Sequence, residues 1–395
     1  MEYLIIGCGV AGITAAQNIR KLDATGGITI LTEEPYPFYS RIRLIDFLAG
    51  ALKPESLLLK KPEWYKTNNI NMVTGAKAVA VDANTKSVSA SDGNQYRYDK
   101  LLLATGGISF VPPMAGTDQK GVFSLRTLRD ALEIVAYAKE HRRVLIIGGG
   151  LLGLEAGHNL IKAGNEVTVA EFFPRLLPRQ LDAEGAHVLK TQMEKSGFTF
   201  HLGVKSKEIA SGANALLLED GRKIDCDMVL VSAGVRPDMA LAKTLGLSAG
   251  KAVTVNDRME TSAPDIFAAG DVAEHREVYY GIWPAADKQG ETAGINMAGG
   301  NATYEGTTMA NTLKVAGINM FSAGEIDAEG KWESIVYKDD VSFRKLVIRE
   351  DRIVGAILYG ETNGRQRILS AMAAKTNVSK IIGELKNWNL DPLGS

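Results

Sequence analysis

Short apolar runs closed by glycine alternate along this chain with stretches in which apolar positions recur every three or four residues. Tyr3 to Ile6 is such a run, and its lack of alternation predicts a strand buried on both faces of a parallel sheet. Ala11 to Leu22 carries the helical period, and Ile28 to Leu31 predicts a second buried strand. The same order returns at Val144–Ile147, Gly148–Gly150, Leu151–Ala163 and Val167–Ala170. Gly7 and Gly148 stand 141 residues apart, so the chain holds two copies of one strand–glycine–helix–strand unit.

Around these copies the pattern predicts further elements. Lys100 to Ala104 reads as a buried strand closed by Thr105-Gly106-Gly107, and Ile108 to Gly121 as a connector bearing Pro and Gly. Met228 to Ser232 reads as a strand ending at Ala233-Gly234-Val235-Arg236-Pro237, where the chain is expected to cross back into its first domain. Ile266 to Ala269 is one more strand, closed by Gly270-Asp271, before a helix from about Pro284 to Met297 with Gly and Ala on its packing face. After Gly299-Gly300 the composition changes. Phe343–Arg349 and Arg352–Tyr359 alternate as paired strands, and Arg365–Ala374 and Val378–Leu385 look helical.

Composition narrows the function classes. A chain of 395 residues exceeds a single hydrophobic core, so two or three domains are expected. Lys and Arg number 45 against 46 Asp and Glu, a net charge of −1, which provides no single-sign field for nucleic acid or an anionic membrane. Two cysteines, Cys8 and Cys226, exclude a disulfide framework and a Cys-rich zinc or iron–sulfur site within this chain. The five histidines show neither metal-ligand nor catalytic-triad spacing, so no metal is expected. The opening MEYLIIGCGVAG lacks the basic region and cleavage site of a secretory signal and is too short and Gly-broken to span a bilayer, which makes a cytoplasmic address the expectation. Both a monomer and a homodimer remain open.

The glycines carry the chemistry. In Gly7-Cys8-Gly9-Val10-Ala11-Gly12 the first glycine permits the tight turn, the second lets a diphosphate approach the backbone, and the third lets helix and strand pack closely. Glu33, just after the next strand, is placed to accept hydrogen bonds from a ribose, with Glu34 as the fallback. The second unit repeats this with Gly148, Gly150 and Gly153, and Glu171 ends its next strand. A carboxylate there favours a free 2′-hydroxyl and repels a 2′-phosphate, so NADH is expected over NADPH. Arg175 would blur that preference unless it is a solvated surface residue or a partner of Glu171. Asp271 follows a buried strand, at the crevice where such sheets bind cofactors, and could equally cap the next helix. The fold expected is α/β: a dinucleotide-binding domain from 1–108 and 238–305, a second one inserted at 109–237, and a C-terminal α+β domain at 306–395.

Taken together, the two fingerprints, LLLATGG within Lys100–Gly107, Gly234-Val235-Arg236-Pro237 and TSAPDIFAAGD at Thr261–Asp271 resemble the pyridine nucleotide–disulfide oxidoreductase superfamily. Tyr39-Ser40-Arg41 with Arg43-Leu44, WPAADKQG at Trp283–Gly290 followed by Glu291-Thr292-Ala293-Gly294, and LKVAG at Leu313–Gly317 look most like NADH:rubredoxin reductases and the flavin-bearing part of NADH nitrite reductases. Ferredoxin reductases of oxygenase systems are close alternatives. The resemblance implies FAD held by Gly7, Gly9, Ala11, Gly12, Glu33, Arg41, Val79, Thr105, Arg126 and Asp271. It implies NADH held by Gly148, Gly150, Gly153, Glu155, Glu171 and Gly234. Glu155 matches a carboxylate near the nicotinamide, although an acid in the first helical turn has a dipole reason of its own. Trp283 reads either as an aromatic at the flavin edge or as plain core.

One departure bears on mechanism. Tyr36 to Gly50 contains none of the redox cysteines that many members carry near the position of Ile42. Cys8 lies in the phosphate loop and Cys226 between Asp225 and Asp227, a poor setting for a thiolate. Without a thiol, electrons from NADH are expected to stop on the flavin and leave for a small protein such as rubredoxin or ferredoxin. An oxidase using oxygen directly, and a flavoprotein subunit of a larger redox complex, are the alternatives.

Overall fold

The structure is a computed structural model that describes residues 1–315, 318–339 and 342–394, without the side chains of 311–315 and 318. Of the Leu313–Gly317 motif, Ala316 and Gly317 lie outside the described residues, as do the side chains of Leu313, Lys314 and Val315. Two compact units emerge: one from Met1–Leu44, Lys53–Phe110 and Val235–Thr307, the other from Ile45–Leu52, Val111–Gly234 and Thr308–Ser395.

The first unit is built on a parallel sheet ordered Ile266–Ala268, Lys100–Leu103, Glu2–Ile6, Gly27–Thr32 and Ile70–Thr74. Its central strand is buried at Tyr3, Leu4, Ile5 and Ile6, which is why the sequence there shows an unbroken apolar run. Val10–Leu22 covers one face and packs in parallel against the helix Trp283–Met297. Glycines let the two helices touch at the backbone: a Cβ on Gly290 would lie 2.4 Å from the Ala11 oxygen, and one on Gly294 2.4 Å from the Ala15 oxygen. A three-stranded antiparallel sheet, Ala78–Asp82, Ser87–Ala90 and Gln95–Arg97, is inserted before the Lys100 strand.

The second unit repeats the plan, with a parallel sheet ordered Phe198–Leu202, Glu166–Glu171, Arg143–Ile147, Met228–Val231 and Val122–Ser124. The same unit contains the C-terminal sheet, ordered Ala310–Val315, Ile318–Gly324, Arg352–Tyr359, Phe343–Arg349 and Glu333–Lys338, with the helix Arg365–Ala373 on it. A buried ion pair ties the two parts together. Lys345 Nζ donates to Asp182 Oδ2 at 3.0 Å and to the Asp327 carbonyl at 3.0 Å. Asp182 also caps the helix Ala183–Lys195 through the Gly185 N–H. One secondary-structure expectation changes. Val378–Leu385 is a 3-10 turn at Ser379–Ile381 running into a short helix, Ile382–Lys386.

Candidate functional site

The first fingerprint separates its glycines by purpose. Gly7 adopts a φ of +115°, and a Cβ there would lie 2.0 Å from the Ala104 oxygen. A Cβ on Gly12 would lie 2.1 Å from the Gly7 oxygen. These two glycines are demanded by packing. Gly9 is not, because nothing lies within 4 Å of where its Cβ would point. The second fingerprint behaves alike: Cβ atoms on Gly148 and Gly153 would meet the Ser232 oxygen at 2.4 Å and the Gly148 oxygen at 2.6 Å, whereas Gly150 faces open space.

The helices behind these loops begin bare. Val10–Leu22 starts at Gly9 and Leu151–Lys162 at Gly150, neither with a side-chain cap or an acid in its first turn. Two other helices are capped by side chains, Leu128–Ala138 by a Thr127–Asp130 capping box and Ala183–Lys195 by Asp182. First-turn N–H groups need an acceptor, and a bare N-terminus beneath an open glycine suits a diphosphate. Both cradles thus fit a dinucleotide.

The acids differ between the two copies. Glu171 is 6% exposed, and both its oxygens accept backbone N–H groups, Oε2 from Gly149 at 2.5 Å and Oε1 from Phe173 at 2.7 Å. It is fixed against its own phosphate loop. Arg175 is not its partner: the guanidinium donates to the Pro178 carbonyl at 3.3 Å. Glu33 is exposed and pairs with Lys77 at 3.1 Å. Glu34 is already engaged, accepting from Tyr39 Oη at 2.6 Å and Arg41 Nη2 at 2.5 Å.

Asp271 follows a glycine packed against the first phosphate loop, and Trp283 packs in the core of the same unit. Gly270 has a φ of +84°, donates its N–H to Gln289 Oε1 at 2.9 Å, and lies so that a Cβ would be 3.1 Å from the Ala11 Cβ. Asp271 follows directly, beside the first turn of the Val10–Leu22 helix. It does not cap the next helix, which starts twelve residues on at Trp283 with Ile282 as N-cap. Trp283 is partly buried against the core, its ring centroid 6.0 Å from that of Phe38. Thr105 Oγ1 donates to the Asp238 carbonyl at 3.2 Å, across the point where the chain returns to this unit. Val79 is exposed on the inserted antiparallel sheet.

Other predicted residues lie in the second unit. Arg126 belongs there, its backbone N–H on Asp130 Oδ2 at 2.9 Å, apart in the chain from the first unit's glycines. Glu155 sits past the first turn of Leu151–Lys162, so the dipole argument does not account for it. Gly234 has a φ of +108° with open space beside it.

Neither cysteine is a thiolate. Burial pushes the Cys8 thiol up to about 12, and its sulfur lies 3.6 Å from Tyr65 Oη. Cys226 is 1% exposed, donates to the Ala213 carbonyl, and is likewise pushed to about 12 by burial and then by Asp227. Tyr65 is a functional neighbour that sequence reasoning missed. Its hydroxyl also accepts the Phe38 N–H at 3.0 Å, tying the phosphate loop to the Phe38–Arg41 segment, and no motif marks it. Among the described residues no cluster of three metal-ligating side chains occurs and no helix is long and apolar enough to cross a membrane.

Comparison with known proteins agrees with this geometry. Residues 1–290 match the pyridine nucleotide-disulphide oxidoreductase family, and residues 310–376 match the rubredoxin NAD+ reductase C-terminal domain. The chain is 34% identical to the Bacillus subtilis nitrite reductase [NAD(P)H] over 96% of its own length and 48% of that protein's. It is 32% identical to the NADH-rubredoxin oxidoreductase of Clostridium acetobutylicum, over 98% of this chain and 99% of the relative. The reductase in a covalent putidaredoxin reductase–putidaredoxin complex superimposes with a TM-score of 0.90 at 25% identity, covering 99% of this chain and 97% of that one. The chain spans about half the length of the first curated relatives it matches. It belongs to the pyridine nucleotide-disulphide oxidoreductase family, whose members are NAD(P)H-dependent flavin oxidoreductases.

Proposed function

We propose that this chain oxidises NADH at the second cradle, holds FAD in the first, and passes electrons singly to a small iron protein, rubredoxin or ferredoxin. The observation that carries this reading is the absence of a usable thiol. Cys226 is buried and Cys8 half-buried, desolvation pushes the ionisation of both to about 12, and the segment from Tyr36 to Gly50 has no cysteine at all. The C-terminal match to rubredoxin NAD+ reductases and the relative named NADH-rubredoxin oxidoreductase point to the same class of acceptor.

The protein's contribution is to position the two nucleotides. Gly7, Gly9 and Gly12 would seat the FAD diphosphate, and Glu33 would reach its ribose. Arg41, held by Glu34, and Thr105 would line the same nucleotide, with Asp271 beside the loop for the ribityl chain and Val79 at the far end. Bound flavin accepts a hydride and returns electrons one at a time, which a nicotinamide cannot do. Gly148, Gly150 and Gly153 would seat NADH, with Glu155 and Gly234 flanking it. Glu171, fixed by two backbone N–H groups, cannot swing aside for a 2′-phosphate, which favours NADH over NADPH.

Anaerobic stopped-flow reduction by NADH and by NADPH, followed by mixing with oxidised rubredoxin, ferredoxin or air, tests this directly. Fast bleaching by NADH and reoxidation much faster by an iron protein than by oxygen are expected. Failure to retain flavin, or bleaching that only oxygen reverses, overturns it. A second reading has one observation in its favour, that the chain spans about half of the nitrite reductase; in it the electrons go to a further domain or subunit of a larger assembly. Co-purification of a partner that alone accepts electrons would favour it.

A further inference from the structure

Tyr65 reaches two separate stretches of the first unit, and its ring is held in place before its hydroxyl does anything. It lies on the short helix Pro62–Thr67, 3% exposed, in the same core as Phe38 and with Cys8 packed against that core. The Trp64 ring meets it edge to face, centroids 5.0 Å apart. Its hydroxyl accepts the buried Phe38 N–H at 3.0 Å, and the Cys8 sulfur lies 3.6 Å away. A hydroxyl has one proton and two lone pairs, so accepting from Phe38 leaves the proton free for the sulfur. Burial pushes the ionisation of both the hydroxyl and the thiol upward, so the link joins two neutral groups.

What the link joins gives it a purpose. Cys8 stands between the packing glycine Gly7 and the open glycine Gly9 of the phosphate loop. Phe38 heads the segment that ends at Arg41. Other backbone bonds of that segment run elsewhere: Ser40 donates to the Leu57 carbonyl at 2.9 Å, and the Phe38 carbonyl accepts from Leu59 at 2.9 Å. Neither reaches the phosphate loop, whereas the Tyr65 hydroxyl does. Beyond it, Arg41 is held by Glu34, and the Phe38 ring lies 6.0 Å from that of Trp283. We propose that Tyr65 is a positioning residue for FAD: its hydroxyl fixes the Phe38–Arg41 segment against the phosphate loop, and so sets where Phe38 and Arg41 stand around the bound nucleotide. The proposal rests on the reading of the first cradle as the FAD site.

The test follows FAD release from the diluted holoprotein, the flavin's visible absorption band and the melting curve. Tyr65→Phe keeps the ring and removes only the oxygen, which leaves the buried Phe38 N–H without its acceptor. FAD should leave this variant roughly tenfold faster, the scale of one buried donor left unpaired. The absorption band should shift, and the KM for NADH should not change. Cys8→Ala cuts one end of the link and should speed release by about two- to threefold, the scale of a weak hydrogen bond. The double variant should release FAD no faster than Tyr65→Phe alone, because two changes at one link do not add. A Tyr65→Phe protein that melts earlier yet keeps wild-type release and an unshifted band overturns the proposal, since the hydroxyl is then a bond of the fold and nothing more. So do single-variant effects that simply multiply in the double variant. If Tyr65→Phe does not fold, Cys8→Ala decides alone, and release at the wild-type rate overturns the proposal. If the wild-type protein carries no flavin, it is the FAD reading that fails, and that result is visible before any variant is made.

Discussion

The two nucleotide-binding repeats are alike in their glycines and unlike in their acids. In the first, Ile6 lies opposite Leu31 in the strand ladder; in the second, Ile147 lies opposite Ala170. Thr32 is therefore the structural counterpart of Glu171, and Glu33 falls one residue later, level with Phe172. A one-residue step turns a strand's side chain to the other face. Glu171 accordingly points back to its phosphate loop and is clamped there, whereas Glu33 stands in solvent, 66% exposed, with Lys77 as its partner. A shared motif thus carries two different degrees of constraint. The clamped acid is suited to discriminate between ligands that exchange. The loose one can only add a contact to a nucleotide held mainly by its loop.

The most damaging way to break the comparison is to fill the open glycines. Gly9 and Gly150 have φ values of −89° and −80°, which any residue adopts, and open space beside them. Gly9→Val should purify as a folded, colourless protein. Gly150→Val should keep its flavin but lose NADH reduction by roughly a hundredfold, the scale of several lost phosphate hydrogen bonds at about 1–1.5 kcal/mol each. Thermal melts should place both near wild type. Gly12→Ala and Gly153→Ala, by contrast, should lower stability by about 1–3 kcal/mol, because their Cβ atoms would overlap backbone oxygens. Equal melting losses in all four variants would remove the distinction between ligand-facing and packing glycines.

Next in size is the clamped acid. Glu171→Ala removes the charge that a 2′-phosphate would meet, and the ratio of kcat/KM for NADH over NADPH should fall by at least about tenfold, equivalent to ~1.4 kcal/mol. Steady-state kinetics with both nucleotides read this out. A ratio that does not move would mean that selection resides elsewhere.

A pH experiment sharpens the mechanism. Both thiols have folded-state ionisation near 12, above the ordinary value of 9.0, so the native protein holds protons that the unfolded chain would release. Their contribution to stability is therefore complete below pH 9 and is lost as the pH rises towards 12. Flavin reduction by NADH should show no limb in the range where an ordinary thiol ionises, and Cys8→Ala should reduce acceptors as wild type does. An inflection near pH 8–9 that disappears in Cys8→Ala would reinstate a thiol in the electron path.

Much of this was legible in residue order alone. Phe343–Arg349 and Arg352–Tyr359 begin and end where the alternation says, the second fingerprint opens its helix at Leu151 as expected, and the first does so at Val10, one residue before the expected Ala11. The Gly and Ala face of the helix after Asp271 proved to be a backbone contact with Ala11 and Ala15. What escaped notice depends on distance or on weak patterning. The Ala78–Arg97 sheet has short strands of three to five residues, too few for a clear periodic signal. Lys345 and Asp182 lie 163 residues apart, and nothing local announces that they pair beneath the C-terminal sheet. Tyr65 reads as an ordinary aromatic until its hydroxyl is seen between Cys8 and Phe38. The choice between Glu33 and Glu34 turns on a one-residue register that spacing cannot resolve.

That register yields the smallest effect. Glu33→Gln keeps the shape of the side chain and removes only its charge and its exposed pair with Lys77, an interaction of a kind that contributes at most about 1 kcal/mol. Flavin retention on dilution should weaken by no more than about fivefold, and raising the salt concentration should erase part of the difference, since exposed pairs are screened. Glu34→Gln should act through a different route. It weakens the hold on Tyr39 and Arg41, so its cost should persist at high salt and should shift the flavin's absorption spectrum along with its affinity. If Glu33→Gln instead releases the flavin outright, the acid of the first repeat is clamped by the bound nucleotide itself, and the two repeats differ only until each is filled.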